Sequence, residues 1–192
     1  MLWAGAAREP PRSLEGWVHL RAPLESDAAP LFALVAAHRD YLRRWLPWLD
    51  GIESEAQSLA FIQGALARER QGAGRTRLVE YRGELSGVVG FNSIDAGNRS
   101  CEIGYWLSED RQGCGIMTHC VGTLVEQAFS ELHLHRVVIR AAPGNRASRA
   151  IPERLGFVQE GVLREAEWLY DHFVDGVLYA LLRREWTGWP RA

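Results

Sequence analysis

The chain has 192 residues, enough for one domain with a sizeable core. Its composition, 47% hydrophobic and 24% charged, is that of an ordinary globular protein, and no apolar run approaches the ~18 residues that a membrane-spanning helix needs. A net charge of −2 leaves no basic footprint for nucleic acid or for a polybasic membrane anchor, and three cysteines without framework spacing read as reduced thiols of a cytoplasmic protein.

Residues 1–15, with Pro10 and Pro11, read as a flexible lead without a signal-peptide core. Residues 16–186 read as one domain and 187–192 as a tail. Trp17-Val-His-Leu-Arg21 is a first strand, ended by Pro23; Glu25 to Asp27 then offers cap chemistry for a helix to about His38. In Tyr41-Leu-Arg-Arg-Trp45-Leu-Pro47-Trp48-Leu49 the proline breaks the helical run. A second helix is expected over about Ser54 to Gln71. Arg77 to Tyr81, a turn at Arg82-Gly83-Glu84 and Leu85 to Asn92 follow as a hairpin.

Residues 101–107, Cys-Glu-Ile-Gly-Tyr-Trp-Leu, read as a buried strand. Gln112-Gly113-Cys114-Gly115 comes next, and then an amphipathic pattern from Ile116 to Leu132 whose apolar positions share one helical face. Strand, glycine turn and helix make a phosphate cradle. Glycine takes positive φ, and the first helical amides have no internal partner and favour an anion. A tight turn with no ligand is the plainer alternative. A strand over residues 136–141 and a helix over 145–155, closed by Gly156, follow. Two last strands are expected at about Phe157 to Trp168 and Val174 to Arg184, with Asp171-His172 at the turn. Helix crossover between the 101–107 and 136–141 strands predicts a parallel pair. His119 with Cys120 and His133 with His135 lack ligand-like partners, so no metal is expected; His119 and His172 read as solvated polar residues.

Four phrases recur in a familiar order and spacing: Gly104-Tyr-Trp-Leu107, Gln112-Gly-Cys-Gly-Ile-Met-Thr118, Ser148-Arg-Ala-Ile-Pro-Glu-Arg-Leu-Gly-Phe157 and Glu160-Gly-Val-Leu-Arg164. From about Trp17 to Trp186 the chain resembles the GNAT superfamily of acyl-CoA-dependent N-acyltransferases. Within it, the chain looks like the RimJ/RimL-like branch that acetylates protein N-termini, including those of ribosomal proteins. The resemblance implies a single-domain α/β fold: a mixed, mostly antiparallel sheet with a splayed central parallel pair and helices on both faces. It implies acetyl-CoA as co-substrate. Backbone groups of Tyr105, Trp106 and Leu107 would grip pantetheine as an added strand does. Gln112, Gly113, Cys114, Gly115, Ile116, Met117 and Thr118 would hold the diphosphate, and Asn145, Ser148 and Arg154 would complete the cofactor set.

Two departures from the family pattern stand out. Many members carry a tyrosine near the sulfur where this chain has Pro152, which cannot donate a proton; the branch's serine matches Ser148. Cys114 stands where many relatives carry Lys or Arg. Ser148 is therefore the expected donor to the leaving thiolate and Glu167 the expected base, with Glu102 and a water-only route as alternatives. Trp45 and Trp48 read either as core aromatics or as part of an apolar acceptor pocket. The implied reaction moves an acetyl group to a primary amine, foremost a protein or peptide α-amino group, by direct attack in a ternary complex. Small amines or polyamines, succinyl-CoA as donor, and a non-catalytic acyl-CoA sensor are the other readings. No nucleic acid or membrane partner is expected, and relatives often dimerise. A dinucleotide oxidoreductase is disfavoured, because the glycines follow a mid-chain strand and lack the third Gly.

Overall fold

The computed structural model describes Leu14 and residues 16–188. Seven strands form one sheet: β1 (Val18–Arg21), β2 (Arg75–Tyr81), β3 (Glu84–Asp95), β4 (Ser100–Leu107), β5 (Arg136–Ala141), β6 (Val158–Leu169) and β7 (His172–Leu182). The helices are α1 (Ala28–Ala37), α2 (Arg39–Leu42), α3 (Glu55–Arg70), α4 (Ile116–Ser130) and α5 (Arg146–Arg154). Spatial order is β1-β2-β3-β4-β5-β7-β6. Neighbours are antiparallel except β4 and β5, which α4 joins as a crossover.

α4 packs across both halves of the sheet. Its faces bury Ile116, Val121, Leu124, Val125 and Phe129 against Val89 and Ile103 from one half of the sheet and Val137, Ile139 and Tyr179 from the other. Each fully buried aliphatic side chain there contributes about 2 kcal/mol. On the opposite face α1 and α3 enclose Leu31, Ile62, Leu78 and Val88. The α3 stripe that packs is Ser58, Ile62 and Ala65. Among the described residues no helix is long and apolar enough to cross a membrane.

Several expected boundaries move. The first helix ends at Ala37 and restarts as α2, which stops at Leu42, so Pro47 follows the break instead of causing it. β2 starts at Arg75 and β3 runs to Asp95, both longer than the expected hairpin. The last hairpin turns at Tyr170-Asp171, one residue early, and His172 already belongs to β7. Tyr170 takes φ +61° there, unusual for a non-glycine residue. Tertiary contacts hold it: its hydroxyl donates to the Leu46 carbonyl, and the Arg43 guanidinium lies 3.8 Å from its ring centre. Of the expected lead only Leu14 is described, and it packs on the core; residues 189–192 of the expected tail lie outside the described residues.

Candidate active site

The β4–β5 ladder has three rungs, Ser100↔Arg136, Cys101↔Val137 and Glu102↔Val138, and then stops. β4 continues to Leu107 and β5 to Ala141, so the two strands diverge. On its other edge β4 stays paired with β3 as far as Gly87↔Leu107. The splay expected from the resemblance is thus present, with Tyr105, Trp106 and Leu107 beyond its last rung. Their side chains alternate. Tyr105 and Leu107 join the α4 core, and Trp106 joins the clusters on the opposite face.

At the end of β4 the chain turns through Gly113 (φ +73°) and Gly115 (φ +76°), and Gly115 caps α4. A Cβ on Gly113 would meet nothing within 4 Å, so conformation and not crowding requires glycine. The first helical bond here runs from His119 N–H to the Gly115 carbonyl at 3.0 Å. The amides of Ile116, Met117 and Thr118 precede it and are the ones a helix start offers to an anion. The side chains of these three residues are buried. Gln112 turns its side-chain amide to the Tyr41 hydroxyl of α2, tying the turn to the opposite wall. Cys114 is half-buried, with its thiol 3.6 Å from the Gln112 carbonyl. The turn's conformation and open space fit a diphosphate held by backbone.

α5 faces the splay with its first turn. Asn145 caps it by accepting the Ser148 N–H at 3.1 Å. The Ser148 hydroxyl donates to the Tyr105 phenol oxygen at 3.2 Å, and the phenol donates to the Ser148 carbonyl at 3.0 Å. Burial pushes the Tyr105 phenol well above its ordinary pKa and keeps it neutral. Pro152 is buried within α5, away from any donor role. Arg154 is exposed on the last turn, about 9 Å of helix rise from Ser148, and the structure does not bring it together with Asn145 and Ser148.

The other face of the splay carries Glu102, Arg140 and Glu167. Register places Glu102 beside Val138, Arg140 beside Leu178, and Glu167 beside Val174, all on one face of the sheet. Arg140 reaches back from β5 to grip both Glu102 oxygens at 2.9 Å each. Glu167 is reached by solvent, yet the surrounding protein raises its pKa; Arg140 opposes the rise and Glu102 adds to it. Trp168 is not its neighbour on this face. It points to the other side, edge-on to Phe173 at 4.8 Å. The aromatics on the Glu167 face include Trp106 and Trp48, 6.2 Å apart, with Tyr41 and Tyr170 in the same cluster as Trp106, while Trp45 lies against the loop at Gly144. His172 pairs with Asp171 at 2.6 Å at the exposed hairpin tip.

Sequence reasoning missed Arg140, Tyr41 and Tyr170. Only Arg140 carried a local sign: an arginine directly after the apolar run Val137-Val138-Ile139 of the strand.

The family model of the acetyltransferase (GNAT) domain matches residues 18–158. The ribosomal-protein-serine acetyltransferase of Escherichia coli (strain K12) is 33% identical over 163 residues, covering 85% of this chain and 91% of that protein. YdaF of Bacillus subtilis (strain 168) is 45% identical over 108 residues, 56% of this chain; the match spans 59% of YdaF. Among solved structures, RimL, a ribosomal L7/L12 alpha-N-protein acetyltransferase in complex with coenzyme A, superposes with a TM-score of 0.85 at 30% identity, covering 88% of this chain and 96% of that one.

Proposed function

The chain belongs to the GNAT acetyltransferase family, and from that premise we propose that it transfers an acetyl group from acetyl-CoA to the α-amino group of a protein or peptide, a ribosomal protein foremost, in the cytoplasm. The observation that carries this reading is the three-rung ladder, with Ser148 on one side of the splay and Glu167 on the other.

Acetyl-CoA supplies an activated carbonyl carbon on a thioester. The splayed edge of β4 over residues 103–107 offers main-chain groups to the pantetheine amides, as an added strand would receive them. The glycine turn and the first amides of α4 hold the diphosphate. Glu167 takes a proton from the acceptor ammonium, directly or through one water, and the amine nitrogen attacks the carbonyl carbon. A C–N bond forms and the C–S bond breaks. The sulfur leaves toward Ser148, whose hydroxyl turns from the Tyr105 phenol to hydrogen-bond the developing thiolate while the proton shed by nitrogen neutralises it. Alignment of two bound reactants supplies much of the rate. The raised pKa of Glu167 matches this assignment, since a carboxylate made more basic is a better proton acceptor near neutrality.

The test is acceptor-dependent release of free CoA, with peptides of different first residues, spermidine and simple aromatic amines compared side by side. Release with peptides supports the reading. Release with spermidine alone moves the acceptor to small amines. Binding of acetyl-CoA without release for any acceptor points to a sensor.

A further inference from the structure

Arg140 has no place in the reaction as described, yet it sits at its root. Strand pairing between β4 and β5 ends at Glu102↔Val138, and Arg140 lies two residues beyond that rung, on the same face as Val138. Its guanidinium bridges the opening gap and binds both oxygens of Glu102, a fork that arginine makes and lysine does not. The bridge is about half shielded from water, with the Arg140 side chain 46% and the Glu102 side chain 23% exposed. Glu167 of β6 lies on the same face, as does Arg136 at the far end of β5, which is paired with Glu160. The other ionisable groups of the β6–β7 hairpin are engaged elsewhere or turned away. Asp171 and His172 pair with each other, and Asp175 accepts the Glu165 N–H on the opposite face. Arg164 is exposed in the β6 bulge.

We infer that Arg140, held by Glu102 across the root of the splay, is a positioning residue that acts on acetyl transfer through Glu167. The inference rests on the proposed role of Glu167 as base. Physically, the cation and the anion of the bridge act on Glu167 with opposite signs. Arg140 favours the ionised carboxylate and Glu102 disfavours it. Because Glu102 fixes the guanidinium, it also fixes how much of that positive charge Glu167 receives. The bridge thus keeps Glu167 basic enough to accept a proton and acidic enough to be ionised when the acceptor arrives.

Two variants separate this from a role in holding the strands. Arg140→Gln removes the cation, and Glu102→Gln removes the competing anion and frees the guanidinium for Glu167. In carboxyl-labelled full-length protein, the Glu167 carbon resonance, identified by its loss in Glu167→Gln, is titrated in each. The expected midpoint moves to higher pH in Arg140→Gln, moves to lower pH in Glu102→Gln, and lies between wild type and Arg140→Gln in Arg140→Lys, which keeps the charge without the fork. The acid limb of kcat/KM for CoA release, taken with one peptide acceptor so that the amine's own titration is common to all variants, follows in the same directions. A purely structural bridge would weaken both variants without opposite shifts. Midpoints that stay put, or move together, overturn the inference. So do opposite midpoint shifts that the acid limb ignores. Activity of Glu167→Gln then separates the two failures. If it falls roughly 100-fold, the base assignment stands and only the inference is lost; if it matches wild type, the base assignment has failed first.

Discussion

Tyr105 and Ser148, 43 residues apart in sequence, exchange two hydrogen bonds: the phenol donates to the Ser148 carbonyl at 3.0 Å and receives the Ser148 hydroxyl at 3.2 Å. This contact docks the first turn of α5 onto β4 beyond the last rung shared with β5. Tyr105→Phe removes both bonds and leaves a carbonyl and a hydroxyl without their partner. We expect a stability loss of about 1–2 kcal/mol in urea unfolding. A fall in kcat of about tenfold should accompany it, because the first turn of α5, which carries the proposed donor Ser148, is no longer held. Ser148→Ala should lower kcat similarly with a smaller stability loss, since the Tyr105 bond to the carbonyl survives.

Gly115 caps α4 in the left-handed region. Gly115→Ala forces a Cβ into that conformation at a cost of about 1–2 kcal/mol, or tips the turn out of shape. Calorimetric titration should show coenzyme A binding weakened about tenfold, with the thermal unfolding midpoint lowered by a few degrees.

Asp27 is a buried carboxylate at the start of α1. It accepts the Arg21 fork at 2.7 and 2.8 Å and the Leu24 N–H at 2.7 Å. The Arg21 hydrogen bonds hold its pKa below the ordinary range. A depressed folded pKa gives stability that is present above the unfolded carboxylate pKa and is lost as pH falls through the folded one. Asp27→Asn should therefore cost about 2 kcal/mol at neutral pH. The gap from wild type should narrow as acid titrates the native carboxylate, which urea melts at several pH values can follow.

Glu167 has the opposite sign. Its folded pKa is raised, chiefly because the surrounding protein strips part of its hydration although solvent still reaches it, so ionisation above the unfolded carboxylate pKa weighs slightly against the native state. Glu167→Gln should melt higher than wild type near pH 7.5, and the advantage should fade as pH falls through the ordinary carboxylate range. Gain in stability with loss of turnover in one variant is the signature of a group kept for chemistry.

The glycine turn and the apolar stripe of α4 were legible in sequence because both are local: positive φ at Gly113 and Gly115, and a three-and-four spacing from Ile116 onward. The splay and the pairing of Ser148 with a sulfur site came from family resemblance, and the structure carries the splay at the expected residues. The Arg140–Glu102 bridge was not legible. It depends on the parallel register between two strands separated by α4, which no local window contains. The cross-strand neighbours of Glu167 and Trp168 were hidden for a related reason. β6 slips register against β7 between Gln159 and Gly161 and again between Leu163 and Glu167, so its neighbours across the sheet cannot be read by counting residues. Glu165, in the second slip, takes φ +50° and gives its N–H to Asp175 at 2.8 Å, a side-chain contact that sequence spacing does not announce.

Mechanically, the three-rung ladder makes the sheet two plates joined by a short seam. One plate is β1 to β4 and the other is β5, β7 and β6. Main-chain bonding across the seam is slight. The stiffness of the whole comes from α4, whose side chains press on Ile103 in one plate and on Val137 and Ile139 in the other. Such a body bends about one line. Pulled apart across the β4–β5 line in a force experiment, it should yield first along the seam, and anything wedged between the plates should act as a strut.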